Sequence, residues 1–166
     1  MSDTRAASRF LYDPIAEPQL YDGILAKRVV AFFIDAFLVV ALMIPAALMV
    51  FLLGFLTLGL AWLLFPALFA IVALTYIGLT LGGPMSGTPG MRMVGVEMRT
   101  WSGQRMFPLL AVMHGLVFWF SIGLLTPLIL VVGLFTYRKQ LLHDLLLGVV
   151  ALNALALRRS ERPIVE

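Results

Sequence analysis

Cysteine is absent from this chain, which excludes disulfides, thiol nucleophiles and every metal site built on thiolate, and leaves the redox compartment open. Charge is scarce. Only 13% of the 166 residues are Asp, Glu, Lys or Arg, against ~25% in a soluble domain, so an ordinary solvated surface is excluded. Histidine occurs twice, as His114 and His143. A metal site needs three or four convergent ligands, and no metal or other cofactor is assigned. A nucleophile elbow, a phosphate-cradling loop and a dinucleotide fingerprint are all missing. His143-Asp144 alone does not make a phosphohydrolase pair, and the chain is not expected to be an enzyme.

What the chain has in quantity is hydrocarbon. It is 61% hydrophobic with a mean hydropathy of +1.01, the composition of an integral membrane protein of one domain. Most of its apolar surface would face lipid, so packing and polar ties must hold it together. The net charge of +3 and pI ≈ 9.7 do not indicate nucleic acid. The Lys and Arg residues stand beside hydrophobic runs, where they set orientation. The expected partners are the lipid bilayer and further copies of the chain or other membrane proteins, with no nucleic acid.

Residues 1–26 are polar, of mixed charge, and contain Pro14 and Pro18; they read as a disordered cytoplasmic tail. The acids of this tail and the length of the apolar run behind it argue against a cleaved signal peptide. A membrane domain over 27–157 and a basic cytoplasmic tail over 158–166 complete the division. The first span is expected over Val29 to Leu53, kinked at Pro45. An uncharged turn at Gly54–Gly59 leads to a second span, Leu60 to Leu81, with Pro66 as a kink and Trp62 and Tyr76 near its ends at headgroup level. Gly78 and Gly82 match the small-xxx-small contact pattern.

Asp35 is the one formal charge between Val29 and Leu81, and a carboxylate there costs roughly 2.5–3.5 kcal/mol to insert. Arg28, two helical turns earlier, shares its face and lies about 10 Å away along the axis. Between Gly82 and Met106 the chain turns polar and glycine-rich. Thr88 and Pro89 form an N-cap and N1 pair for a single helical turn that Gly95 ends. Alternation from Val94 to Arg99 predicts a short half-buried strand on the membrane surface, with Trp101–Gly103 as the turn after it.

No formal charge occurs between Phe107 and Tyr137. As one straight helix this run would be about 46 Å long, well beyond the hydrocarbon layer. A break at Ser121–Pro127 is expected, giving arms of about 108–123 and 126–137. A hairpin would keep all twelve Lys and Arg residues on the cytoplasmic side, whereas a single crossing would divide them. Leu145 to Leu157 is expected as a short interfacial or re-entrant helix. Arg138 and Lys139 read as interface anchors, and Asp144 as a cap for the short helix that follows it.

Three separated motifs carry a family resemblance. Arg28 and Asp35 in the first span, Gly87-Thr88-Pro89-Gly90 followed by Arg92 and Gly95 in the loop, and Arg138 to Asp144 followed by Gly148 resemble the RDD family of membrane proteins, named for one arginine and two aspartates. Arg28, Asp35 and Asp144 match the name-giving residues, and the resemblance covers about residues 24–152. It implies an all-α membrane protein, a small bundle of about four transmembrane or re-entrant helical segments with a cytoplasmic surface loop. It also implies a bacterial cytoplasmic (inner) membrane, with the N-terminus in the cytoplasm. Relatives typically carry an arginine where this sequence has His114. A permanent cation is thus exchanged for a group titrating near ~6.5 when unperturbed.

Arg28, Asp35, His114 and Asp144 are therefore the candidate polar cluster, with Arg28 at its surface and Asp35 at its floor. One reading makes it the ion site of a small oligomeric cation or proton transporter. The other makes it a buried tie that fixes helix packing in a structural or accessory membrane protein.

Overall fold

The computed structural model describes residues 12–136 and 138–161, with backbone alone for 122–135. A 3-10 turn at Pro18–Leu20 precedes α1 (Ile24–Leu56). A second 3-10 turn, Leu60–Leu64, leads into α2 (Phe65–Thr80), followed by α3 (Pro89–Met93), β1 (Val96–Thr100), α4 (Pro108–Phe135), α5 (Leu142–Leu147), β2 (Val149–Asn153) and α6 (Ala154–Ser160). The chain is mostly helical, in keeping with the expected all-α class, and the strand expected in the loop, β1, pairs with β2 in a two-stranded sheet.

Two helical segments, Pro18–Leu56 and Leu60–Thr80, are long and apolar enough to cross a membrane, and 6% and 11% of their most apolar windows are buried inside the protein. A core helix of a soluble protein with that composition would be largely covered. Side chains such as Phe33, Phe37, Ile44 and Leu56 instead face outward, which water penalises and lipid does not. Helix α1 passes through Pro45 without ending. Pro66 lies in the first turn of α2 rather than at a kink, where its missing N–H leaves no bond unmade. Between the two, Leu58 and Gly59 adopt positive φ. The Trp62 indole donates to the Phe51 carbonyl at 3.1 Å and lies over Gly54, where there is no room for a Cβ. Gly78 admits the Val112 side chain of α4, with only 3.0 Å to an added Cβ, and Gly82 faces the Pro108 backbone. The small-xxx-small pattern is a real helix contact.

The loop follows its local signals. Thr88 is the N-cap of α3 and accepts from the Met91 N–H at 3.2 Å. Pro89 is at N1, and Gly95 turns the chain with φ +72°. The strand expected as half-buried is buried over Val96–Arg99, because both of its faces are covered. Val96 and Met98, with Val149 and Ala151 of β2, meet Ile24, Leu81, Met106 and Ala111. On the opposite face Val150 and Leu152 meet Leu20, Tyr21 and Leu157, and Glu97 pairs with Arg99 at 2.8 Å. Two expectations fail together here. Part of the tail expected to be disordered, residues 12–23, supplies the turn and the Leu20 and Tyr21 side chains that close this face. Residues 1–11 and 162–166 lie outside the described residues. The stretch 145–157 is not one helix: Gly148 ends α5 at φ +64°, and the β-branched pair Val149-Val150 continues as β2. Strand β1 needs a partner for its backbone groups, and β2 supplies it antiparallel, with Met98 opposite Ala151.

The expected break into two arms within 107–137 is likewise absent. Helix α4 runs for 28 residues through Ser121–Pro127. In lipid a continuous helix satisfies nearly every backbone group, while Pro127 removes only one bond. Beyond its end, residues 136–139 fold into a turn, with Lys139 N–H donating to the Thr136 carbonyl at 3.0 Å, and Asp144 then bonds to His114. The Gln140 amide also donates to the Val149 carbonyl of β2. The chain therefore returns to the sheet from which α4 departs.

Candidate functional site

The two acids expected in one cluster occupy two separate sites. Arg28 does not pair with Asp35. Seven residues apart on a helix their side chains sit ~10.5 Å apart along the axis, beyond the three- and four-residue spacings at which side chains meet. Each finds partners elsewhere.

Arg28, in the second turn of α1, forms a two-pronged ion pair with Asp144 of α5: Nη1 to Oδ2, and Nη2 to Oδ1 at 3.1 Å. Asp144 is fully buried and also faces His114 Nε2 of α4 at 2.9 Å. His143 brings its Nε2 to 3.4 Å from the same oxygen. Asp144 stands at the third position of α5, where Oδ2 reaches back to accept the Leu141 N–H at 2.9 Å; it lies inside its helix, not ahead of a following one as the sequence suggests. Burial alone would raise the Asp144 pKa, but the Arg28 charge and the His114 and Arg28 hydrogen bonds outweigh it and hold the carboxyl far below the usual range. Burial pushes His143 down to about 3, against the pull of Asp144, so its imidazole is neutral at pH 7 and able to act as a ligand. His114 therefore ties to Asp144, not to Asp35. The three residues His114, His143 and Asp144 offer ligand atoms within 4.8 Å of one another, so two histidines and an adjacent acid do converge as a triad. The histidine count alone could not show this.

Asp35 lies two turns further along α1 and is half-buried. Its Oδ1 accepts the Tyr76 hydroxyl of α2 at 2.6 Å and the Gly90 N–H of α3 at 2.8 Å, and its Oδ2 accepts the Thr88 hydroxyl. The donors are all neutral. Among the described residues no Lys, Arg or His forms an ion pair with Asp35. A Cβ at Gly90 would fall 2.8 Å from Asp35 Cγ, which explains the Thr-Pro-Gly order: Thr88 caps and donates, Pro89 starts the turn, and Gly90 lets the backbone reach the acid. Tyr76 was missed in the sequence, where it reads as a headgroup-level aromatic. The available signal is that a buried tyrosine hydroxyl seeks a partner, and Asp35 is the acid within the adjoining apolar run.

Arg92 turns away from Asp35, toward the Thr88 carbonyl at 3.4 Å and Met85 Sδ at 3.2 Å. Arg138 and Lys139 are partly exposed beyond the end of α4.

A family model described as RDD family matches residues 23–148. The matched segment holds Arg28, Asp35, the loop motif and Asp144, the residues that build both sites. No curated protein and no solved structure matches the chain.

Proposed function

The chain belongs to the RDD family of membrane proteins, and from that premise we propose that it moves a small cation or a proton across the membrane, with Asp35 as the exchanging group. The single observation that carries this reading is the asymmetry of the two acids. Asp144 has a permanent counter-charge in Arg28, whereas Asp35 is met only by neutral donors, two of them hydroxyls whose oxygens can also face a cation. An acid so placed can take its counter-charge from a proton or an ion and release it again as its partners move. Arg28–Asp144 is then fixed framework. The protein acts in this proposal as a multi-pass homo-oligomer of the bacterial cytoplasmic membrane, N-terminus inside, since one short chain leaves little room for an alternating pathway.

One observation favours the accessory reading. Three hydrogen bonds to a charged acid, each worth about 1.5–3 kcal/mol, are enough to offset the ~2.5–3.5 kcal/mol insertion cost of Asp35 while tying α1, α2 and α3 together. Flux in proteoliposomes decides. Purified protein is expected to carry Na⁺, K⁺ or H⁺, and Asp35→Asn to abolish that flux in a variant that remains monodisperse. No flux from the wild type rejects transport, and unchanged flux in the variant rejects the role of Asp35.

A further inference from the structure

Both histidines of the chain face one carboxylate oxygen. His114 Nε2 is 2.9 Å and His143 Nε2 3.4 Å from Asp144 Oδ1, and one ligand atom from each of the three residues lies within 4.8 Å of the others. Ligands of a tetrahedral ion with bonds of about 2.0–2.1 Å stand roughly 3.4 Å apart, so small side-chain rotations close the set without moving the backbone. All three residues are buried.

Two of these donors already face a charge of the appropriate sign. Arg28 Nη2 lies 3.1 Å from Asp144 Oδ1 and 3.4 Å from His143 Nε2, where it is the tethered equivalent of a bound cation. Among the described residues the buried Nδ1 of His143 has no hydrogen-bond partner, so turning the ring toward an ion costs no bond at that nitrogen, and at Nε2 only the contact with Arg28 that the ion displaces. Two imidazole nitrogens and one carboxylate oxygen suit zinc and its neighbours, while magnesium and calcium take oxygen donors.

We infer that His114, His143 and Asp144 form a binding site for a divalent transition-metal ion of the zinc class, for which the Arg28 guanidinium is the built-in competitor. Entry of the ion exchanges one positive charge for two and releases Arg28 from the carboxylate. This site is separate from Asp35 and stands or falls independently of the transport proposal.

The test uses the full chain without a histidine tag, in detergent, titrated with Co²⁺ and read by its ligand-field absorption, with Zn²⁺ as the displacing ion. Wild type is expected to bind one Co²⁺ per chain, and Arg28→Gln to bind it about tenfold tighter or more once the competing charge is gone. Adding His143→Ala to either background should weaken binding by about tenfold or more, with Zn²⁺ displacing Co²⁺ wherever it binds. A folded Arg28→Gln protein without His143-dependent binding overturns the inference. If Arg28→Gln does not fold, wild type decides: Zn²⁺ must raise its thermal midpoint where Mg²⁺ does not, and the rise must vanish in His143→Ala. Absence of that difference overturns it equally.

Discussion

Arg28 and Asp144 bind each other with almost no water nearby, and pairs of this kind are sensitive to the loss of one member. Removing one partner of a buried pair costs about 3–5 kcal/mol, because the other charge is left buried and unpaired, while replacing both with apolar residues can be nearly neutral. Arg28→Ala is therefore expected to lower the thermal midpoint in detergent sharply, and Arg28→Met combined with Asp144→Leu to recover part of it, since the Leu141 N–H and His114 then lose their acceptor. A double variant no better than the single one would show that the pair does more than neutralise itself. Asp35 behaves differently because its partners are neutral. Gly90→Ala forces a methyl against the Ala31 carbonyl oxygen and to 2.8 Å from the acid's Cγ. It is expected to cost about 1–3 kcal/mol by parting α3 from α1 and its hydrogen bond to Asp35, read as a lower midpoint that Asp35→Ala, which removes only the second of these contacts, relieves in part. Tyr21 gives a pH-dependent test. Burial pushes its phenol up to about 12, so above pH ~10 the unfolded chain loses a proton that the folded chain keeps, and stability should fall as pH rises from ~10 toward 12. Tyr21→Phe should flatten that slope.

At the scale of elements, what was legible depended on how far apart the partners lie in sequence. The α3 turn could be read directly from Thr88, Pro89 and Gly95, since a cap and its helix are neighbours. So could two apolar runs long enough to cross lipid. The partner of β1 was hidden, because strand pairing over more than fifty positions leaves no periodic mark, and Val149–Asn153 sits inside a run whose composition suits helix equally well. The same blindness left Arg28, a neighbour in sequence, among the candidate partners of Asp35 and did not single out Asp144 for it. It also left Tyr76 out of the site and the two histidines apart. Helix α4 shows the reverse error: Pro127 suggests a break, but the helix continues through it, since a proline removes one backbone bond and ending the helix would free several. A direct check of the sheet is available because the chain has no cysteine of its own. Met98→Cys with Ala151→Cys, directly opposed in the register, is expected to cross-link on oxidation. Met98→Cys with Val150→Cys, on opposite faces, is not.

Across the whole molecule, β1 and β2, the residue 12–23 segment and α6 form one layer, and α1, α2 and α4 depart from it. Arg28 and Asp144 join the first of these helices to that layer's late-synthesised half. The expected arrangement places Leu58, almost fully exposed at 97% in the turn between α1 and α2, on the opposite side of the bilayer from Ser102. Cysteines at the two positions should therefore label with impermeant reagents from opposite sides of sealed vesicles, and labelling from one side only would remove the α1–α2 crossing. The Arg28–Asp144 tie also has a meaning in time. Its members are 116 positions apart, and at ~5–20 residues per second a ribosome delivers the acid roughly 6–23 s after the arginine. For that interval the arginine at the head of the first membrane helix has no permanent partner, and β1 has an open edge. The chain completes its packing only when its last quarter arrives, and any product that ends between Arg28 and Asp144 keeps the arginine without its carboxylate.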